Sequence, residues 1–297
     1  MFSRVARVCK NDSGGPHKFK NKWTSFLKSR LNCSVPGNMP FEFREIQSTA
    51  SQMVDLGDGD KLVYGVFTTP DNAIAGSAVC SFRLSDIRHS FDEGPFKGQA
   101  GANANWLPVP NPPSPRPGSC AANSRELDDA GLNFIKRHSL MDRAVSNAGA
   151  DPLLVRTSVK ERMTVIAVDP RCVSRFPTLL ILSIFDHYFV NDTVVSFRLR
   201  TPSGQTYDVI YVGTTRGKVI KFVSAIDINA LNPVDTAKPV VIEEIQVFPY
   251  HVSVTNLQVV KVKEMDDEPR LIVLSNHEVR GISCGKVRTF GVTHSQN

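Results

Sequence analysis

Four arrangements in this sequence come near enough to known chemistry to be tested. Gly213-Thr214-Thr215-Arg216-Gly217-Lys218 has the glycines and lysine of a phosphate-binding loop in the right order. That loop needs four residues between its glycines and a Ser or Thr after the lysine. Here three residues intervene and Val219 follows. The next residues read as a strand, where a phosphate loop opens a helix, so the segment reads as a hairpin turn. Asp55, Asp58 and Asp60 approach the acid spacing of a calcium loop but lack its glycine and closing glutamate at the required places. They fit a turn whose aspartates bind their own backbone. The seven histidines are scattered, with no H-x-H or H-x-x-x-H pair, and no Gly-x-Ser-x-Gly elbow occurs. Asp128 and Asp129 are adjacent, so on a helix they point apart and suit its N-terminus better than acid–base work. The reading is a non-enzyme with no metal and no cofactor.

Six cysteines remain: Cys9, Cys33, Cys80, Cys120, Cys172 and Cys284. None forms a C-x-x-C pair, which argues against structural zinc. Wide spacing and an even count suit long-range disulfides in an oxidising compartment, although spacing alone does not choose the pairs. Sequons at Asn11, Asn32 and Asn191 point the same way as glycosylation candidates. The start, Met1-Phe2-Ser3-Arg4-Val5, lacks the apolar run of a signal peptide. The most apolar stretch, Phe176–Phe185, is too short for a membrane span, which needs roughly 20 residues.

The elements that must position any site are mostly strands. In 297 residues, 41% are apolar and 22% charged, an ordinary globular balance. Lys61–Thr68, Ala78–Leu84, Met163–Val168, Tyr207–Thr214, Gly217–Val223, Val240–Phe248, Val252–Lys261 and Leu271–Leu274 read as strands from their β-branched and aromatic content. Tyr207–Thr214 and Gly217–Val223 form a hairpin across Thr215-Arg216. Trp23–Leu31 reads as a strand or a short helix. Phe91–Cys120, punctuated by Pro and Gly, reads as a long loop or an extended polyproline-type segment, and a loop of such length in a compact domain is usually functional or an interface. Leu127–Met141 reads as a helix, with Lys136, Arg137 and His138 beside its apolar face. Short strands with turns between them predict an all-β sandwich, barrel or propeller. The net charge is +6, densest at Lys18, Lys20, Lys22, Lys28 and Arg30, a cluster that would suit an acidic partner or a sulfated glycan. Nucleic acid is not expected as a partner.

Longer phrases are more specific. Ser3–Gly15, Trp23–Ser34, Gly76–Phe82, Pro115–Cys120, Asn133–Asp142 and Tyr207–Lys221 resemble, in order and spacing, the middle and end of a semaphorin sema domain. Val240–Phe248 adds a particular similarity to the invertebrate transmembrane class 1 semaphorins. The resemblance covers about Phe2–Asp169 and Thr201–Arg280.

The resemblance implies a partial seven-bladed β-propeller, about its last four blades, with the loop and helix of Phe91–Met141 as an extrusion. It implies disulfides Cys9–Cys120 and Cys33–Cys80, plexin as receptor, a homodimer in the parent protein, and a role in axon guidance and cell migration. The parent would sit on the extracellular face of the plasma membrane or be secreted. Lys136, Arg137 and His138 are the receptor-facing candidates. Residues 1–280 form the partial sema domain on this reading, interrupted at about 171–200 by a segment outside the resemblance, with a divergent tail at 281–297. The alternative is a non-catalytic propeller scaffold or a truncated gene product.

Overall fold

The central strands are apolar on both faces, and that pattern sets the architecture. In Val209–Thr214 all six residues are buried. Alternate side chains of a strand point to opposite faces, so a strand buried throughout lies between two layers. Ile210 and Val212 enter one core, while Val209 and Tyr211 enter the next. Gly76–Arg83 divides the same way, with Val79 in one core and Ala78, Cys80 and Phe82 in another.

The computed structural model describes residues 2–56, 59–149, 151–169, 199–200, 206–223, 239–261, 269–283 and 289–291. Among them are four larger sheets and two two-stranded ribbons. Sheet I runs Arg4–Arg7, Leu27–Asn32, Leu140–Met141, Phe96–Gln99, Trp106–Pro108, and Val145–Ser146 also pairs with Leu27–Asn32. Sheet II runs Leu154–Thr157, Gly76–Arg83, Lys61–Thr68, Glu45–Thr49, with Val54–Asp55 beside Lys61–Thr68. Sheet III runs Met163–Asp169, Val209–Thr214, Lys218–Val223, Val240–Gln246. Sheet IV runs Asn256–Lys261, Pro269–Leu274, Val279–Ser283, Thr289–Gly291.

Three cores join these sheets in sequence. Leu27, Phe96 and Met141 of sheet I meet Phe67 and Phe82 of sheet II. Leu62 and Tyr64 of sheet II meet Ile166, Ile210 and Phe222 of sheet III. Tyr211 and Val219 of sheet III meet Leu257, Leu271 and Val273 of sheet IV. The sheets therefore stack face to face in the order I, II, III, IV. A buried hydrogen bond ties the second layer to the third: the Tyr64 hydroxyl donates to Asp208 Oδ2 at 2.5 Å.

Among the described residues two α-helices flank this stack. α1 (Leu84–Asp92) buries Ile87, Ser90 and Phe91, the i, i+3, i+4 stripe of one helix face. α2 (Asp129–Arg137) starts at Asp128, whose carboxylate accepts from the Gly131 amide at 3.3 Å. It buries Leu132 and Ile135. The helix is shorter than the expected 127–141, because Leu140–Met141 pairs instead with Lys28 and with Phe96–Lys97. Pairing also decides Trp23–Leu31, where Leu27–Asn32 is a strand bonded on both sides. Phe91–Cys120 is not all loop. It holds the end of α1 and the hairpin Phe96–Gln99 with Trp106–Pro108. Arg116 fastens it by donating from Nε to the Phe91 carbonyl at 3.0 Å, with its guanidinium 4.6 Å from the Phe96 ring centre. Apolar strand residues are too few there to stand out against the prolines and glycines.

Candidate functional site

The recognition candidates fall on sheet I. Its strand Leu27–Asn32 alternates, with Leu27 and Ser29 buried and Lys28 and Arg30 half-buried. The two basic side chains therefore share one face. Register brings others beside them. Arg4 stands directly opposite Arg30, and Leu140 stands between Lys28 and Lys97. α2 ends above this face, presenting Lys136 and Arg137. Together Arg4, Lys28, Arg30, Lys97, Lys136 and Arg137 line an open groove of about 670 Å³. Phe2, Trp106, Leu140 and Met141 supply apolar surface in it, and Asp142 is its acidic residue.

The charges in this groove are unevenly balanced. Lys97 pairs with Asp142 at 3.0 Å, and Arg30 pairs with Glu42 at 2.6 Å. The Arg30 guanidinium also covers the Phe2 ring at 4.0 Å. Arg4, Lys28, Lys136 and Arg137 have no acidic partner among the described residues. Like charges directly opposite on neighbouring strands are destabilising by about 0.2–1 kcal/mol. Arg4 against Arg30 is such a pair, and core packing does not require it.

The basic residues clustered in sequence separate in space. Lys28 and Arg30 enter the groove, whereas Lys18 pairs with Asp129 at 3.3 Å and Lys22 lies 6.0 Å from the Phe19 ring. The expected trio at the end of α2 separates too. Lys136 and Arg137 are exposed in the groove. His138 turns away, its ring 4.8 Å from Phe134 and its Nδ1 buried without a hydrogen-bond partner among the described residues. Sequence alone does not single out Arg4, Lys97 and Trp106. They lie far apart along the chain, and only strand register joins them.

Two disulfides frame the region. Cys9–Cys120 has a Cα separation of 5.5 Å and links residues 111 apart. Cys33–Cys80 has a Cα separation of 5.9 Å and links residues 47 apart. The second is buried between sheets I and II. Asp58, Cys172, the apolar stretch 176–185, the Asn191 sequon and Cys284 lie outside the described residues. Asn11 is exposed and donates to the Ala121 carbonyl at 2.7 Å. Asn32 is half-buried at the end of its strand, opposite Ser146. Among the described residues no group of three His, Cys, Asp or Glu could hold a metal, and no helix is long and apolar enough to cross a membrane.

The described residues form an all-β fold with few helices, cross-linked by disulfides Cys9–Cys120 and Cys33–Cys80. The Sema domain family matches residues 46–175 and 187–261, more than half of the chain. The chain belongs to that family, and its similarity is to the class 1 semaphorins of invertebrates. Semaphorin-1A of Drosophila melanogaster is 47% identical over 99% of this chain and 30% of its own length. Semaphorin-1A of Schistocerca americana is 47% identical over 99% of this chain and 36% of its own length. The chain thus spans about a third of the relatives it matches. Among solved structures, Drosophila Semaphorin 1a, extracellular domains 1–2, superposes with a TM-score of 0.77 at 47% identity, over 96% of this chain and 50% of that one. A complex of Drosophila Plexin A with Semaphorin 1b matches with a TM-score of 0.74 at 43% identity, over 92% of this chain and 47% of that one. These structural relatives are β-propellers.

Proposed function

We propose that this chain is part of a semaphorin, an extracellular guidance ligand, and that it engages a plexin receptor. The observation that carries this reading is the 43% identity to a chain of a solved complex between Plexin A and Semaphorin 1b. On this reading the four stacked sheets are about the last four blades of a seven-bladed propeller. Residues 91–141 are the extrusion, and the parent protein dimerises through its propeller. Residues 1–280 form the partial sema domain, with an inserted segment at about 171–200, of which 176–186 falls between the two stretches the family matches, and a tail at 281–297. The strands flanking the insert, Met163–Asp169 and Val209–Thr214, pair with each other directly, which fits a segment added within a hairpin. Cys9–Cys120 and Cys33–Cys80 are the structural disulfides, and Asn11, Asn32 and Asn191 are the glycan acceptors. The parent acts outside the cell, in axon guidance and cell migration.

Receptor contact is assigned to Lys136 and Arg137, which stand exposed at the end of α2 with Trp106 nearby. Charges at an interface rim set encounter rate and partner choice, while an aromatic supplies the buried anchor. The test is surface plasmon resonance between the secreted chain and a plexin ectodomain. Lys136→Glu with Arg137→Glu is expected to weaken binding about 10-fold, equivalent to about 1.4 kcal/mol, mainly through a slower on-rate and more at low salt than at high salt. Wild-type affinity in the double variant would remove these residues from the interface. Absence of plexin binding by the unmodified chain would overturn the receptor reading.

A further inference from the structure

We propose that the basic groove on sheet I binds a sulfated polysaccharide. Holding its cations together has a cost. Arg4 faces Arg30 in register, and Lys28 and Lys97 flank Leu140 in the next row. Adjacent strands lie about 4.8 Å apart, so these cations are held close together on one surface. Lys136 and Arg137 have a local reason for their position, because cations stabilise the last turn of a helix. Arg4 and Lys28 have no such reason, and among the described residues neither has an acidic partner. Asp142, the acid in the groove, is already engaged by Lys97. The surface therefore carries a concentrated, largely uncompensated positive field.

An anion that answers this field must be extended and repeat its charge. The cations run from Arg4 on the first strand of sheet I, across Lys28 and Lys97, to Arg137 at the end of α2. A single carboxylate or phosphate would satisfy one or two of them. The groove is open, and Phe2, Trp106 and Leu140 place apolar and aromatic surface among the charges. Trp106 is 50% exposed. A sugar ring offers flat C–H faces to such surface while its sulfates reach lysine and arginine. The buried Cys33–Cys80 disulfide fits a protein of an oxidising compartment. Sulfated glycosaminoglycans are the abundant polyanions there. Neither this charge pattern nor the assignment depends on the receptor reading, although Lys136 and Arg137 are shared with it.

The experiment measures binding of the secreted chain to heparin and to size-defined chondroitin sulfate oligosaccharides, with no receptor present. Arg4→Glu with Lys28→Glu alters the groove without touching Lys136 or Arg137. It is expected to fold, because the carboxylate introduced by Arg4→Glu would face Arg30 as an opposite-charge pair. A thermal melt of the variant checks this. Binding is expected to fall at least 10-fold, and the slope of log K against log salt to shrink by roughly 1–2, as two counterion-releasing contacts are lost. Lys136→Glu with Arg137→Glu should weaken binding similarly. Lys20→Glu with Lys22→Glu, an equal charge change outside the groove, should leave it within about 2-fold. Equal weakening by the Lys20/Lys22 variant would reduce the effect to net charge and overturn the site. Poly-glutamate binding as tightly as heparin would overturn the polysaccharide in favour of an acidic protein. Failure of heparin to bind the unmodified chain would also sink the proposal, and the plexin assay would be unaffected by that result.

Discussion

At the scale of single residues, Asp12 shows how much one carboxylate can organise. It lies in the Asn11-Asp12-Ser13 sequon and accepts from the amides of Gly14, Thr24 and Ser25 at 3.0, 2.9 and 2.9 Å, and from the Ser25 hydroxyl at 2.5 Å. Partial burial pushes its carboxyl up, but the Ser25 hydroxyl and the three amides outweigh this and hold it below the usual range. Asp60 follows the same logic. Burial raises its carboxyl, while the Ser85 hydroxyl, the amides of Lys61 and Ser85, and the charge of Arg83 together lower it. A carboxyl lowered in the folded state binds its proton more readily when the chain unfolds. Its stabilising contribution is therefore fully present above the unfolded value, near pH ~4, and is lost as pH falls through the lower folded value. Melting temperature followed against pH should fall on the acid side of about pH 4, with a shallower fall in Asp12→Asn. Asp12→Ala, which strands several donors, is expected to cost about 2 kcal/mol in denaturant unfolding.

At the scale of elements, the stacking of sheets depends on close approach. Gly213 lies in a central strand of sheet III, and a Cβ there would sit 2.5 Å from Val254 Cγ1. Val254 is fully buried in the core shared with sheet IV, so it has little room to yield. Gly213→Ala is expected to destabilise by about 1–3 kcal/mol, as overpacking does, read as a lower denaturant midpoint with an unchanged slope. The same scale explains what local pattern misses. α1 has few apolar residues, and its Ile87 and Phe91 make one stripe with Ser90. That pattern is legible at i, i+4 but is easily lost between a strand and a glycine-rich stretch. The hairpin around Trp106 is hidden by surrounding prolines, and Lys136 and Arg137 are visible in sequence only as a basic helix end.

At the scale of the whole molecule, the disulfides join distant parts of the chain. Closing loops of 111 and 47 residues restricts the unfolded chain by about 4–5 kcal/mol each in the entropy model. Cys33→Ser with Cys80→Ser also leaves changed groups in a core where those residues are 1% and 0% exposed. It is expected to abolish secretion or lower the melting temperature far more than Cys9→Ser with Cys120→Ser, where Cys120 lies at the surface. Non-reducing peptide mapping of secreted protein checks the pairing directly.

The sequence by itself determined the all-β class, most strands of sheets II and III, a helix N-terminus near Asp128 and Asp129, and the family, through long ordered phrases. It did so because runs of β-branched and aromatic residues, acidic residues at a helix start and motif spacing are properties of neighbouring residues. Only the tertiary structure decided the basic groove. Arg4, Lys28, Lys97 and Lys136 are separated by long stretches of chain, and nothing local relates them. Antiparallel and parallel pairing across sheet I put Arg4 opposite Arg30 and placed Leu140 between Lys28 and Lys97. A one-residue change of register would turn each of these side chains to the opposite face. The juxtaposition of these cations therefore rests on the register of strands drawn from distant parts of the chain.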